Sequence, residues 1–247
     1  MSKNILIVGA ASGIAEAVAR RYAAEACRFF LVARNEGKLE QVAADLLARG
    51  AAQVERFVMD ANDRPRLPAM IEAAWGVLAQ VDLALVAHGT LPDQKRTEAD
   101  IEYAVSEFRT NGESVIACLA LLAKRFEQQG NGVIAVIGSV AGDRGRASNY
   151  LYGSAKAAVD AFASGLRGRM FKAGVHVLTI KPGFVATPMT QGLPLPEKLV
   201  ATADEVAGKI KKAVEKKKNV AYVPGFWRLI LLVIRSIPES VFKRLGI

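Results

Sequence analysis

Asn4–Val8 is a short apolar run that stops at Gly9. The next residues, Ala10-Ala11-Ser12-Gly13-Ile14-Ala15, lead into a helical pattern over residues 14–26. Strand, glycine turn and helix in that order leave free backbone N–H groups at a helix N-terminus. A pyrophosphate can sit there if no side chain stands in its way. An ordinary glycine turn has the same composition, but its place at the first strand–helix junction favours a dinucleotide site. The candidate contacts in this loop are Gly9, Ala11, Ser12, Gly13 and Ile14.

The same alternation runs through the chain. Apolar runs at 28–33, 53–59, 81–87, 133–137 and 175–180 read as further strands. Stretches at 38–49, 68–78, 98–126 and 147–172 read as helices, with Asn111 and Gly112 as a kink in the third. Apolar strands separated by helices predict parallel pairing through right-handed crossovers. The expected fold is α/β, a Rossmann-type doubly wound parallel sheet in a three-layer α/β/α sandwich. No linker or internal repeat divides the 247 residues, so one domain is expected. Residues 183–203, rich in Pro and Gly at their start, read as a mobile substrate loop. A basic helix is expected over 204–217, and the segment 223–247 is unusually apolar.

Cys27 and Cys118 are the only cysteines, which supplies no disulfide framework and no zinc site, so no metal is expected. The apolar run after Lys3 is too short for a signal sequence, and a cytoplasmic location follows as an expectation. The net charge is +9. Part of it is local, in Lys209, Lys211, Lys212, Lys216, Lys217 and Lys218, which read either as a solvated helix face or as a surface for an anionic partner. No aromatic interleaving accompanies them, so nucleic acid is not an expected partner.

The strand ends carry the next signals. An acidic residue after the second strand would bind ribose hydroxyls, but the chain has Arg34-Asn35 there, and a guanidinium attracts a 2′-phosphate. NADP(H) is therefore the preferred cofactor, with NAD(H) possible. Asp60 ends the third strand, where it can accept a bond from an adenine amino group, with the Ala61 N–H beside it.

Tyr152 and Lys156 are spaced to share one helix face, and Ser139 lies upstream on another element. A neighbouring cation favours phenolate, so Lys156 is expected to lower the pKa of Tyr152 and ready it for proton exchange with an alcohol or ketone.

Taken with the glycine loop, these residues resemble the short-chain dehydrogenase/reductase family over nearly the whole chain. The resemblance implies a catalytic set of Asn111, Ser139, Tyr152 and Lys156. Asn111 would fix a helix kink and hold a relay water, and Lys156 would bind the nicotinamide ribose. It also implies cofactor contacts from Pro182, Gly183, Val185 and Thr187. The family's Asn-Ala-Gly after the fourth strand stands here as Ala87-His88-Gly89, so His88 takes over the bracing role of that Asn, serves as a further proton-transfer group, or is simply a packed or solvated histidine. Ala15 replaces a usual third glycine. The family implies a homodimer or homotetramer, and the small apolar residues Ala157, Ala158, Ala161, Phe162 and Ala163 would allow a second copy to approach.

The tail, with Arg144-Gly145-Arg146, is similar to the keto-sugar reductases that act as the reductase component of decaprenylphosphoryl-ribose epimerase. That likeness implies reduction of a keto group on a sugar or lipid-linked substrate. Soluble ketones or acyl thioesters are the alternative substrates, and a non-catalytic cofactor-binding scaffold is the alternative of another class. Residues 229–234 are too few to cross a bilayer. Phe226, Trp227, Leu229, Ile230, Val233, Ile234 and Ile237 are expected to form one apolar face. It would pack over the cleft or against a second subunit, or rest peripherally on the inner face of a membrane.

Overall fold

The expected central strands form as read. The computed structural model describes residues 2–245. Seven parallel strands make one sheet: β1 (Asn4–Val8), β2 (Arg28–Ala33), β3 (Gln53–Val58), β4 (Leu83–Val86), β5 (Val133–Ile137), β6 (His176–Pro182) and β9 (Val220–Val223), in the order β3-β2-β1-β4-β5-β6-β9. Their side chains alternate between two cores. Ile5, Ile7, Phe29, Leu31, Leu83 and Leu85 face one layer, and Leu6, Val8, Phe30, Val32, Ala84 and Val86 face the other. Both faces are apolar because both are covered by helices.

Helices α1 (Gly13–Ala23), α2 (Glu36–Ala48) and α8 (Ala203–Glu215) lie on the first face. Helices α3 (Leu67–Leu78), α6 (Ser114–Gln129) and α7 (Tyr150–Lys172) lie on the second. Strand order reverses between β1 and β4, so the crevice beyond their C-terminal ends is the binding position of such a sheet. All the strand-end candidates collect along that edge.

The connections and peripheral elements depart from the expectations. The long helix over 98–126 is divided into α4 (Gln94–Ala99), α5 (Ile101–Phe108), a π-helical turn (Arg109–Glu113) and α6. Asp93 and Asp100 each accept a bond from a backbone N–H three residues on, so each starts a new helix. The segment 183–203 is not wholly loop. Phe184–Ala186 (β7) pairs in parallel with Val200–Thr202 (β8), and two short 3₁₀ turns lie between them. β9 was not expected at all, since its four residues sit between a lysine run and a proline. On α7, Ala163 is fully buried and Phe162 packs against the same core, so the proposed small-residue face is turned partly inward.

The tail forms α9 (Trp227–Ser236) and α10 (Glu239–Phe242). It does not make one apolar face. Trp227 and Leu231 are buried, whereas Leu229, Leu232 and Val233 point outward. Trp227 lies edge-on to Phe184, ring centroids 5.2 Å apart. Arg144 fastens the far end, donating to the carbonyls of Ile234 (2.5 Å) and Ile237 (2.7 Å) and lying 3.6 Å from the Phe242 ring centroid.

Candidate active site

The glycine loop leaves β1 as a tight turn. Gly9 and Ala10 both donate to Val32 O, and Gly9 has φ +86°. A Cβ there would stand 2.4 Å from the His88 backbone nitrogen, so the loop must pass bare against the end of β4. Ser12 caps α1 by accepting from Ala15 N at 3.3 Å, and the N–H groups of Gly13 and Ile14 remain at the free helix end. A Cβ on Gly13 would come 3.1 Å from the Thr187 methyl, so the loop and the β7 side of the site face each other closely. Ala11 and Ile14 are half-buried against the first core. Ala15 is wholly buried there, and its methyl takes up helix–sheet packing where a glycine was expected.

Arg34 reaches out from the end of β2 and is 68% exposed in its side chain, with Asp60 Oδ2 3.7 Å away. Asp60 Oδ1 also accepts from Asn62 N at 2.8 Å, beside the half-buried Ala61. Asn35 is committed as the cap of α2, accepting from Lys38 N at 2.9 Å. Pro182 and Val185 are buried, and Gly183 lies directly under Trp227. These residues gather at the C-terminal edge of the sheet, with a free helix end, a bare turn and a cation at the far side. A helix end of this kind fits a dinucleotide phosphate.

At the other end, Tyr152 and Lys156 project from one face of α7, with the ammonium 5.6 Å from the phenol ring centroid. Ser139 ends the β5 turn and accepts from Ala141 N at 3.1 Å. Gly89 lies against both Asn111 and Lys156: a Cβ on it would be 2.8 Å from Asn111 Oδ1 and 3.6 Å from Lys156 Nζ. Asn111 is fully engaged. Its Oδ1 accepts from Thr90 N (2.9 Å), and its Nδ2 donates to Thr90 Oγ1 (2.9 Å) and Glu107 O (3.1 Å). The kink expected at Asn111 is thus the π-helical turn, tied to the loop after β4.

One electrostatic expectation is reversed. Burial pushes the Tyr152 phenol up to about 12, a hydrogen bond with Ser139 draws it down, and the Asp160 charge pushes it up again. The Lys156 ammonium is itself brought down by burial to about 8, with Asp160 opposing, and it donates to Ile137 O at 3.2 Å. A half-buried, largely desolvated phenol without an ion at contact distance prefers its neutral form. The hydroxyl is therefore protonated at neutral pH, which is the form an acid needs.

Burial and the Lys156 charge push His88 down to about 3. Its Nε2 lies 2.9 Å from Ser114 Oγ, whose own proton goes to Thr110 O at 2.8 Å, so Nε2 carries the ring proton and donates. A ring held neutral in this way braces β4 against α6 and does not exchange protons near neutral pH. Sequence reasoning missed Thr90, Glu107 and Ser114. It also missed Asp160, although its place eight residues after Tyr152 was a usable helical signal. Among the described residues there is no group of His, Cys, Asp and Glu able to hold a metal.

The chain is similar to known proteins over most of its length. The short chain dehydrogenase family profile matches residues 3–198. An "uncharacterized oxidoreductase" of Mycobacterium tuberculosis is 36% identical over 241 residues, covering 98% of this chain and 96% of its own. An NADP-dependent 3-hydroxy acid dehydrogenase of Schizosaccharomyces pombe is 29% identical over 187 residues, covering 75% and 72%. The crystal structure of levodione reductase superposes with a TM-score of 0.82 at 24% identity, covering 92% of this chain and 98% of that one. On the match along 3–198 and the extent of the mycobacterial likeness, the chain belongs to the short-chain dehydrogenase family and is an oxidoreductase of the kind that uses NAD(P).

Proposed function

We propose that the protein reduces a keto group on a sugar or a lipid-linked carrier, with NADPH as reductant and Tyr152 as the acid. The observation that carries this reading is the convergence of a protonated, half-buried phenol, the Ser139 hydroxyl and the Lys156 ammonium at the C-terminal edge of the sheet, beside the glycine loop. The cofactor, when bound, supplies the hydride that makes the new C–H bond. Tyr152 gives its proton to the carbonyl oxygen as that oxygen gains charge, and recovers it from solvent. Ser139 donates a hydrogen bond to the same oxygen, a role that matters most as negative charge develops. Lys156 would hold the nicotinamide ribose of the bound cofactor, and Asn111 keeps the π-helical turn in place.

Two cations support the finer parts. The exposed Arg34 suits a 2′-phosphate, and the relative from Schizosaccharomyces pombe is named for NADP. Arg146, between Ser139 and Tyr152, is partly desolvated, and its side chain makes no ion pair or hydrogen bond among the described residues. A half-buried guanidinium without a partner favours an anionic substrate group. The phosphate of a polyprenyl carrier would supply one, in line with the tail's likeness to keto-sugar reductases. That relative's name also supports a second reading, a soluble keto acid whose carboxylate meets Arg146.

The test is NADPH oxidation followed with keto sugars on polyprenyl phosphates, 3-keto acids, acyl thioesters and simple ketones. Turnover of the first group above the others is expected. Tyr152→Phe should still bind NADPH and lose about 10²-fold or more in turnover. No turnover of any carbonyl, with NADPH bound tightly, would leave a cofactor-binding scaffold instead.

A further inference from the structure

Helix α9 is apolar on two sides, and the protein covers only one. Trp227 and Leu231 face inward, while Leu229, Leu232 and Val233 are 67%, 63% and 64% exposed. A helix that is apolar all round is ordinarily enclosed, and a cluster of large aliphatics on an outer face marks a contact surface. Arg228 and Arg235 flank these three residues in the helix. Arg228 also borders a groove of about 500 Å³ between α8 and β9, lined further by Lys209, Lys212, Lys216 and Lys218. None of these five cations lies within 4.0 Å of a carboxylate among the described residues. Their neighbours Arg21 and Lys211 do pair, with Asp204 and Glu25. The basic stretch is therefore divided. One side is tied to α1, and the other is a free cationic groove continuous with an uncovered aliphatic ridge.

We propose that this face docks on the surface of an anionic phospholipid bilayer. Leu229, Leu232 and Val233 enter the boundary between headgroups and acyl chains, and the five cations meet lipid phosphates. The contact is peripheral, since among the described residues no helix is long and apolar enough to cross a membrane. A second copy of the chain is a poorer occupant. A two-fold contact through this face would bring two cationic grooves together, with no acidic residue lining either to offset the repulsion. The inner side of the same helix lies on Gly183 and is held by Arg144. The element that touches the bilayer is thus the outer wall of the candidate active site. This docking does not depend on the reaction proposed above.

Flotation of the full chain with phosphatidylcholine vesicles, with and without about one quarter phosphatidylglycerol, tests it. Binding is expected only with the anionic vesicles, and should weaken sharply between about 0.1 M and about 0.5 M salt. Lys212→Gln with Lys216→Gln should lower binding about 30-fold. Leu232→Gln with Val233→Gln should lower it about 10-fold or more. Both pairs are exposed, circular dichroism should show the fold retained, and turnover of a soluble carbonyl should stay at the wild-type level. The proposal is overturned by absence of flotation with anionic vesicles, by equal binding to neutral ones, or by binding that survives both pairs. It is also overturned if light scattering without lipid shows an oligomer that the Leu232/Val233 pair dissociates, because the ridge then belongs to a second copy.

Discussion

The Lys181 ammonium lies 2.8 Å from an oxygen of Asp160, which sits on α7 one turn beyond Lys156 and two beyond Tyr152. The same ammonium pairs with Asp143, and Asp143 accepts a 2.7 Å hydrogen bond from Tyr222 Oη. A Cβ on Gly138, next to Ser139, would stand 2.7 Å from Asp160 Oδ1. A buried cluster of two carboxylates around one cation therefore lies directly behind the candidate acid. Burial pushes the Asp160 carboxyl up, and the Lys181 charge pulls it back.

Lys181→Met leaves both carboxylates buried without their cation. A loss of about 3–5 kcal/mol is expected on breaking such a pair, measured by urea unfolding. Asp160→Asn acts differently. It removes the anion that favours the charged form of Lys156, so the amine, already down at about 8, loses its proton at lower pH. The alkaline limb of the turnover–pH profile should move to lower pH, and a limb that stays in place would show that Asp160 does not act on Lys156.

Arg34→Ala should raise KM for NADPH about tenfold or more and leave KM for NADH nearly unchanged, because only the former carries the extra phosphate. Equal changes for both cofactors would remove the 2′-phosphate assignment.

His88 gives the protein an acid-sensitive step. Its folded-state pKa of about 3 is below the ordinary 6.5, so between those values the unfolded chain binds a proton that the folded one refuses. Stability from this residue is fully present above about pH 6.5 and falls with pH through the window, by at most about 1.4 kcal/mol per unit. His88→Asn, which keeps a donor toward Ser114, should flatten the dependence of urea midpoints on pH between those limits.

Gly183→Ala probes the wall of the site. The added methyl would land 1.9 Å from Trp227 Nε1, so α9 must move outward or the turn must shift. Faster proteolysis within the tail and a KM rise for carbonyl substrates are expected. Adding Trp227→Ala to the Gly183→Ala chain should restore the space and much of the KM.

The central strands were legible because they are almost wholly buried. Runs such as Ile5–Val8 and Val133–Ile137 are apolar on both faces and bounded by glycine, which leaves little ambiguity. The long helix was not legible in its parts, since Asp93, Asp100 and the Asn111 turn interrupt the backbone without interrupting the helical hydrophobic pattern. Tyr152, Lys156 and Ser139 were legible from spacing, but their charge states were not. The pKa of the phenol depends on burial and on Asp160, and neither can be read from the Tyr–Lys interval. Trp227 was legible as apolar, but its seat on Gly183 depends on where β9 returns the chain, and that strand was too short to stand out.

The π-helical turn at Arg109–Glu113 has a consequence for how tolerant this region is to length change. It holds one residue more than a regular helical turn accommodates. Deleting a single residue there would let the chain close into continuous α-helix with α6 keeping nearly its present rotation, because the wide turn already absorbs that residue. Ser114, Val115, Cys118 and Leu122 would keep their places, and the cost would fall on Asn111 and its bonds to Thr90 and Glu107. A gap of the same size one turn further into α6 has no such slack and would turn its sheet-facing side chains by about 100°.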